Sequence, residues 1–301
     1  MAKPIAQSRS TSVSLTRHLK PRRQPWGLAE MAPHRHYVQR IPLTRGGRVF
    51  CIGDVHGAFD LVLEGMRAVR FDPQVDLLIS VGDLIDRGRG SHRVAKFLRQ
   101  KYVLAVLGNH EAMLIDLYAK GEPPAEALAW AARHNGFRWW LDASSETRRE
   151  VLEELRKLPI ALEVGTTRGT VGIVHADVPP GMCWQEFVAK LEAGDGGAIH
   201  SALWGEERIK QNDESGVNGV GRVFVGHRIQ WQGMRRLGNV FAIDTGATFA
   251  EIAPDDSRGG HLTFVNVALA SRELVRKPST STRVDHRDGA IPSEPFSLRM
   301  E

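Results

Sequence analysis

Five apolar runs in this chain end in a side chain that can bind a metal ion, and at four of them a glycine comes immediately before it. Arg48–Ile52 leads into Gly53-Asp54-Val55-His56-Gly57, and Asp76–Val81 into Gly82-Asp83-Leu84-Ile85-Asp86-Arg87-Gly88. Val103–Leu107 leads into Gly108-Asn109-His110-Glu111, Val171–Val174 into His175-Ala176-Asp177, and Arg222–Val225 into Gly226-His227-Arg228. A sixth run, Val240–Ile243, precedes Asp244. The runs are continuous rather than alternating, the pattern of strands covered on both faces. Ala58–Arg70 and Ser91–Gln100 separate the first three runs and can be helical, as can Glu111–Lys120 after the third. This β-α order predicts parallel strands with right-handed crossovers. Ligands of such sheets collect at the carboxyl ends of the strands, so the polar residues are expected to converge there.

Composition excludes several alternatives. The 301 residues are 42% hydrophobic and 25% charged, an ordinary globular balance, and no apolar run approaches the ~20 residues of a membrane span. No membrane association is expected, and the absence of a secretory-type apolar stretch near the N-terminus points to the cytoplasm. Cys51 and Cys183 are too few for a disulfide framework or a thiolate zinc site, and both read as small buried apolar residues. The net charge of +5 is uneven: residues 1–48 hold ten Lys/Arg against one acid, whereas 49–270 hold 24 basic and 29 acidic residues. Residues 1–45, rich in Ser, Arg and Pro, are expected to be a disordered basic arm, and 271–301 a polar C-terminal tail. Between them a domain is expected over 46–270, with a helical insertion at about 122–160. The body shows no basic patch with interleaved aromatics, so nucleic acid is not an expected partner.

A single Gly-Asp turn or a single buried histidine is an ordinary structural feature. Five in this order are not. Asp, His and Asn without thiolate suit hard or borderline ions such as manganese, iron or zinc. Two ions sharing one carboxylate would use this many ligands.

The motifs GDVHG, GDLIDRG, GNHE, HAD and GH together resemble the phosphoprotein phosphatase family of metallophosphoesterases, calcineurin-like enzymes, and within it the bacterial and lambda-phage type of serine/threonine phosphatase. Lesser matches are NGFRWW, LPIALEV, LWGEERI and IDTGATF, so the similarity runs over roughly residues 48–250. It implies an α/β fold, a four-layer α/β/β/α sandwich with two mixed sheets, and two divalent ions, most simply manganese. The resemblance assigns Asp54 and His56 to the first ion, Asp83 to both, and Asn109, His175 and His227 to the second. It makes His110 the general acid, Asp86 the group orienting it, and Arg87 the phosphate-binding arginine. The implied reaction is hydrolysis of a phosphorylated protein or small phosphoester by in-line attack of a metal-bridging hydroxide, with no phosphoenzyme.

One position departs from the pattern. The phage type reads Trp-Asn-Arg-Glu-Arg-Ile where this chain has Trp204-Gly205-Glu206-Glu207-Arg208-Ile209, which puts Glu206 at a phosphate-clamp position. Either Arg208 substitutes as a substrate-binding residue, or the site prefers a less charged ester, or Arg208 is an ordinary surface residue. The enzymatic alternative is a symmetrical dinucleoside tetraphosphate hydrolase, against which the retained Asp86 and Glu111 weigh; the non-enzymatic one is an inactive scaffold recruited through the basic arm. Trp139 and Trp140 read as packing residues, Asp244 as a turn anchor, and His34 and His36 as a chance pair.

Overall fold

A computed structural model describes residues 37–42 and 46–269. In chain order its strands are β1 (Val38–Ile41), β2 (Val49–Ile52), β3 (Leu77–Ser80), β4 (Val103–Ala105), β5 (Ala161–Thr166), β6 (Gly169–Val174), β7 (Arg222–Val225), β8 (Arg235–Leu237), β9 (Val240–Ala242) and β10 (Phe264–Asn266). One mixed sheet has the order β10-β2-β3-β4 and the other β1-β5-β6-β7-β9-β8. Strands β2, β3 and β4 are parallel, in the register Val49 to Leu77 and Leu78 to Val103.

The period of two along β2 builds the layers. Val49 and Cys51 pack with Ile79 against Leu162, Val164, Ile173, Phe224 and Phe241 in the core between the sheets. Phe50 and Ile52 face the opposite way, toward Phe59, Val62 and Ala95. Those residues belong to α1 (Phe59–Ala68) and α2 (Val94–Leu98), which lie outside the first sheet with α3 (Asn109–Leu117). On the far side, α7 (Trp184–Glu192) and α8 (Gly196–Trp204) close the second sheet; Trp184 packs over Gly172 and donates to Glu163 of β5 at 2.8 Å. The result is an α/β/β/α sandwich. The segment 122–160 contains α4 (Ala125–His134), α5 (Arg138–Asp142) and α6 (Ser145–Leu155), and Ser144 caps α6 by accepting from Thr147 N. Two short helices follow, α9 (Glu207–Gln211) and α10 (Phe249–Ile252).

The expected arm boundary at residue 45 is corrected. Val38–Ile41 is a strand, parallel to β5 with Val38 opposite Ala161, and Arg40 pairs with Glu163 at 2.6 Å. The segment is short, and its exposed Gln39 and Arg40 hide the apolar signal of Val38 and Ile41. Residues 1–36, with His34 and His36, and the 271–301 tail lie outside the described residues. Strands β5, β8 and β10 were not among the six expected runs, and Cys183 is half-buried at the start of α7, so only Cys51 is a core cysteine. Among the described residues no helix is long and apolar enough to cross a membrane.

Candidate active site

Six strands deliver polar residues from their carboxyl ends to one edge of the sandwich. β2 leads to Asp54 and His56, β3 to Asp83, Asp86 and Arg87, and β4 to Asn109 and His110 in the first turn of α3. β6, β7 and β9 lead to His175, His227 and Asp244. Five of these residues, His56, Asp83, Asp86, Arg87 and His227, have φ between 44° and 74°, a region that non-glycine residues rarely adopt. The neighbouring glycines allow the close approach this requires. A Cβ on Gly226 would stand 1.9 Å from Asp54 Oδ1, and one on Gly108 would stand 2.3 Å from Asp83 N.

Asp83 is the centre. Its Oδ1 lies 3.5 Å from His175 Nε2, and its Oδ2 lies 3.4 Å from His56 Nε2 and 4.0 Å from His110 Nε2. Two donor groups therefore share this carboxylate, His56/Asp83/His110 and Asp83/His175/His227. The rings are aimed by backbone carbonyls: His56 Nδ1 donates to Ile85 O and His175 Nδ1 to Val81 O, both at 2.8 Å, which leaves each Nε2 lone pair facing inward. Asp54 stands outside both groups; its two oxygens accept from His227 N at 3.2 and 3.0 Å.

The donor set fits a divalent cation. The inward atom of the Asn109 carboxamide meets only acceptors: His175 Nε2 at 2.8 Å, His227 Nδ1 at 3.1 Å and both Asp83 oxygens at 3.2 Å. Burial pushes Asp54 well above the usual carboxylate range, and Asp244 and Asp83 add to it. Burial, with Asp83 nearby, likewise pushes Asp244 up to about 7. Burial opposes charge on Asp83 too, yet His175, His110, His56 and Arg87 hold it far below that range. Burial lowers the histidines, His227 to about 4. Unprotonated imidazoles facing crowded buried carboxylates are what a metal ion requires of its ligands. The Arg87 guanidinium already places positive charge there, with Nη1 2.7 Å from His56 Nε2 and Nη2 3.1 Å from His110 Nε2.

His110 differs from the other rings. Its Nδ1 meets Asp86 Oδ2 at 2.6 Å, and the other oxygen of Asp86 accepts from Trp139 Nε1 at 2.7 Å. Burial acts against the imidazolium, but Asp83 and the Asp86 hydrogen bond raise His110 above its ordinary value. Asp86 itself is pushed up to about 6, chiefly by burial. The proton in this pair is thus shared between two buried groups that both favour keeping it.

Sequence reasoning left the contacts of three residues unassigned. Glu111, fully buried, accepts from the amides of Asp83, Leu84, Ile85 and Gly108 at 2.8–3.1 Å and so ties the loop after β3 to α3. Trp139 was read as packing, whereas it also donates to Asp86. Arg228 reaches Glu206 Oε1 at 3.3 Å beside His227. Only Glu111 gave a signal, an acid two residues after Asn109 at the start of a helix. Asp244 does anchor its turn, accepting from Gly246 N at 2.9 Å.

Arg208 is corrected as a substrate-binding residue. It is 1% exposed and its donors are taken: N and Nε by Asp177, Nη1 by Asp213 at 2.8 Å, and Nη2 by Val178 O at 3.3 Å. Withdrawing it would strand Asp177 in the interior.

Comparison with known proteins follows the same residues. The calcineurin-like phosphoesterase family matches residues 47–227. The chain is 36% identical to serine/threonine-protein phosphatase 1 of Salmonella typhimurium, over 79% of this chain and 99% of that one. It is 29% identical to serine/threonine-protein phosphatase 2 of Escherichia coli, over 69% and 92% of the two chains. A symmetrical bis(5'-nucleosyl)-tetraphosphatase of Nitrosococcus oceani is 26% identical over 55% of this chain and 59% of its own. With the family spanning every strand end from Asp54 to His227, this chain belongs to the calcineurin-like phosphoesterases.

Proposed function

We propose that this protein is a metal-dependent phosphomonoesterase that acts on phosphoserine and phosphothreonine in proteins. The observation that carries the reading is the Asp83 carboxylate shared between His56 on one side and His175 and His227 on the other, with the His110–Asp86 pair at its rim. In this reading Asp54, His56 and Asp83 hold one divalent ion, and Asp83, Asn109, His175 and His227 hold a second. Oxygen and imidazole donors without thiolate accord with manganese, iron or zinc. Such ions, when bound, supply Lewis acidity and lower the pKa of water so that hydroxide is available at neutral pH.

The chain supplies the rest. Arg87, exposed at the edge with its fork directed at His56 and His110, binds two phosphoryl oxygens. The negative charge that develops on those oxygens is met by its guanidinium, already in place before the substrate arrives. His110, kept protonated by Asp86 and Asp83, gives its Nε2 proton to the departing serine or threonine oxygen. Asp86 holds the ring through Nδ1, so that Nε2 faces the leaving group. The catalytic domain includes β1 as well as the expected 46–270, with α4–α6 inserted beside His110. Action in the cytoplasm belongs to the same reading.

The test is a metal-reconstituted panel of p-nitrophenyl phosphate, phosphoserine, phosphothreonine and phosphotyrosine peptides, and diadenosine tetraphosphate. The expected result is metal-dependent hydrolysis with phosphoserine and phosphothreonine peptides favoured. Faster turnover of diadenosine tetraphosphate than of every monoester would overturn it in favour of a dinucleotide hydrolase.

A further inference from the structure

Two guanidinium groups lie near different histidines of the donor cluster. Arg87 stands on the His56 and His110 side. Arg228 stands on the His227 side, and its side chain is half exposed while its backbone is fixed by the turn that carries His227. Arg228 N donates to Gly226 O at 2.8 Å, and Gln230 Nε2 donates to Arg228 O at 2.7 Å, so the root of the side chain is held at the site. Its outer end is held by Glu206. The Glu206 Oε1 atom lies 3.3 Å from Arg228 Nη1 and 3.8 Å from His227 Nε2, and Oε2 pairs with Lys210.

The geometry gives Glu206 a role other than repulsion. One carboxylate is shared by two permanent cations, so the group of Glu206, Lys210 and Arg228 carries a net positive charge toward an arriving dianion. Lys210, one turn along α9, fixes the carboxylate, and the carboxylate fixes the arginine fork. A preset fork loses less conformational freedom on binding than a free one. Arg208 cannot serve in its place, because each of its three guanidinium nitrogens is bonded in the interior.

We propose that Arg228 is a second phosphate-binding arginine, and that Glu206 is the positioning residue that holds its guanidinium at the rim beside His227. The ligand is the dianionic phosphoryl group of a monoester, gripped by Arg87 on one side and Arg228 on the other. This rests on the phosphomonoesterase reading above.

The experiment uses the metal-loaded full chain and measures binding of inorganic phosphate by calorimetry, alongside KM and kcat for p-nitrophenyl phosphate. Arg228→Ala is expected to weaken phosphate binding and raise KM by about tenfold or more, the usual loss for one charged hydrogen-bond donor, with Tm unchanged. Arg228→Lys should recover part of the loss. Glu206→Gln gives the sharper result. With Arg228 present it should weaken phosphate binding, because the fork is released; in the Arg228→Ala background it should strengthen binding, because only a negative charge is removed. Phosphate affinity within twofold of wild type in Arg228→Ala would overturn the proposal and leave Glu206–Arg228 as an exposed ion pair. So would Glu206→Gln acting in the same direction in both backgrounds. Failure of the wild-type protein to bind phosphate or hydrolyse any monoester would instead overturn the reading on which the proposal rests.

Discussion

Trp139→Phe isolates one hydrogen bond in the proposed proton path. The indole donates to Asp86 Oδ1 at 2.7 Å, and Asp86 Oδ2 meets His110 Nδ1 at 2.6 Å. Phenylalanine keeps an aromatic ring next to Trp140, whose ring lies edge-on at 5.2 Å, and removes the N–H donor together with some of the indole's bulk. A hydrogen bond to a charged group contributes about 1.5–3 kcal/mol, and one pKa unit corresponds to about 1.4 kcal/mol. The donor favours ionised Asp86, so without it Asp86, already pushed up to about 6 by burial, rises further. The bond's worth places that rise at about one to two units, enough to make Asp86 neutral near pH 7. A neutral Asp86 no longer supports the imidazolium of His110, whose raised pKa then falls. Because protonated His110 is the reactive form, the alkaline limb of the kcat profile should move to lower pH by about one unit. On the alkaline side of both limbs that lowers kcat on a phosphoserine peptide about tenfold, with KM nearly unchanged. p-Nitrophenyl phosphate, whose phenolate leaves without needing a proton, should lose much less. Equal losses on both substrates, or an unmoved alkaline limb, would refute the chain from Trp139 through Asp86 to His110.

Four further outcomes are expected. Asp83→Asn should abolish turnover and reduce the metal content measured by elemental analysis, since one carboxylate serves both donor groups; full activity in exhaustively chelated protein would sink the metal-dependent mechanism. Arg208→Ala should lower stability by about 3–5 kcal/mol in urea unfolding, the cost of stranding a buried ionic partner, and leave the KM of the folded fraction unchanged. Asp76 is buried, yet its bonds from Arg48 and from the Asp72 amide hold it below the usual carboxylate range. Its contribution is therefore present above the ordinary carboxylate pKa and lost as pH falls through the depressed value, so the stability gap between wild type and Asp76→Asn should close in urea titrations taken toward pH 3. Removing residues 1–36 should preserve turnover, whereas a chain starting at Leu43 should lower Tm, because it deletes β1 and its pairing with β5.

The strands that mattered were legible because each is continuous, apolar and followed by a polar residue that can bind a metal ion, at four of them behind a glycine. β1, β5 and β10 carry no such ending, and β8, though followed by Gly238-Asn239, is only three residues long and two of them are arginines. β1 and β8 also expose arginines that mask their apolar positions, as Arg40 and Arg236 do. The candidate site residues stood out because oxygen and imidazole donors suit hard or borderline ions and such a sheet gathers them at its strand ends. Which atoms meet could not. Whether Arg208 faces phosphate or Asp177 depends on the loop between β6 and α7 meeting α9, a tertiary contact that leaves no periodic trace. Trp139 illustrates the same limit: its apolar bulk predicts packing, while its single N–H finds Asp86 across 53 positions.

The clustering of left-handed residues explains why so much polar structure lies behind the site. Each non-glycine residue held at positive φ costs of order 1–3 kcal/mol, and glycine would remove that cost at the loss of the side chain. His56, Asp83, Asp86, Arg87 and His227 therefore keep their side chains only because other contacts fix the loops. The loops after β2 and β3 are laced together by amides: Val55 and His56 donate to Asp83 O at 3.1 and 2.8 Å, Gly57 to Leu84 O at 2.8 Å, and Gly88 to His56 O at 3.0 Å. Glu111 fastens the same loop from the other side. Burial and Asp83 push its carboxyl up to about 8, against the amides that favour its ionised form. A glutamine there would offer one acceptor oxygen where the two oxygens of Glu111 now share four donors, so at least one buried amide would lose its partner. The residue that never touches substrate thus decides whether Asp83 can stand where both donor groups need it.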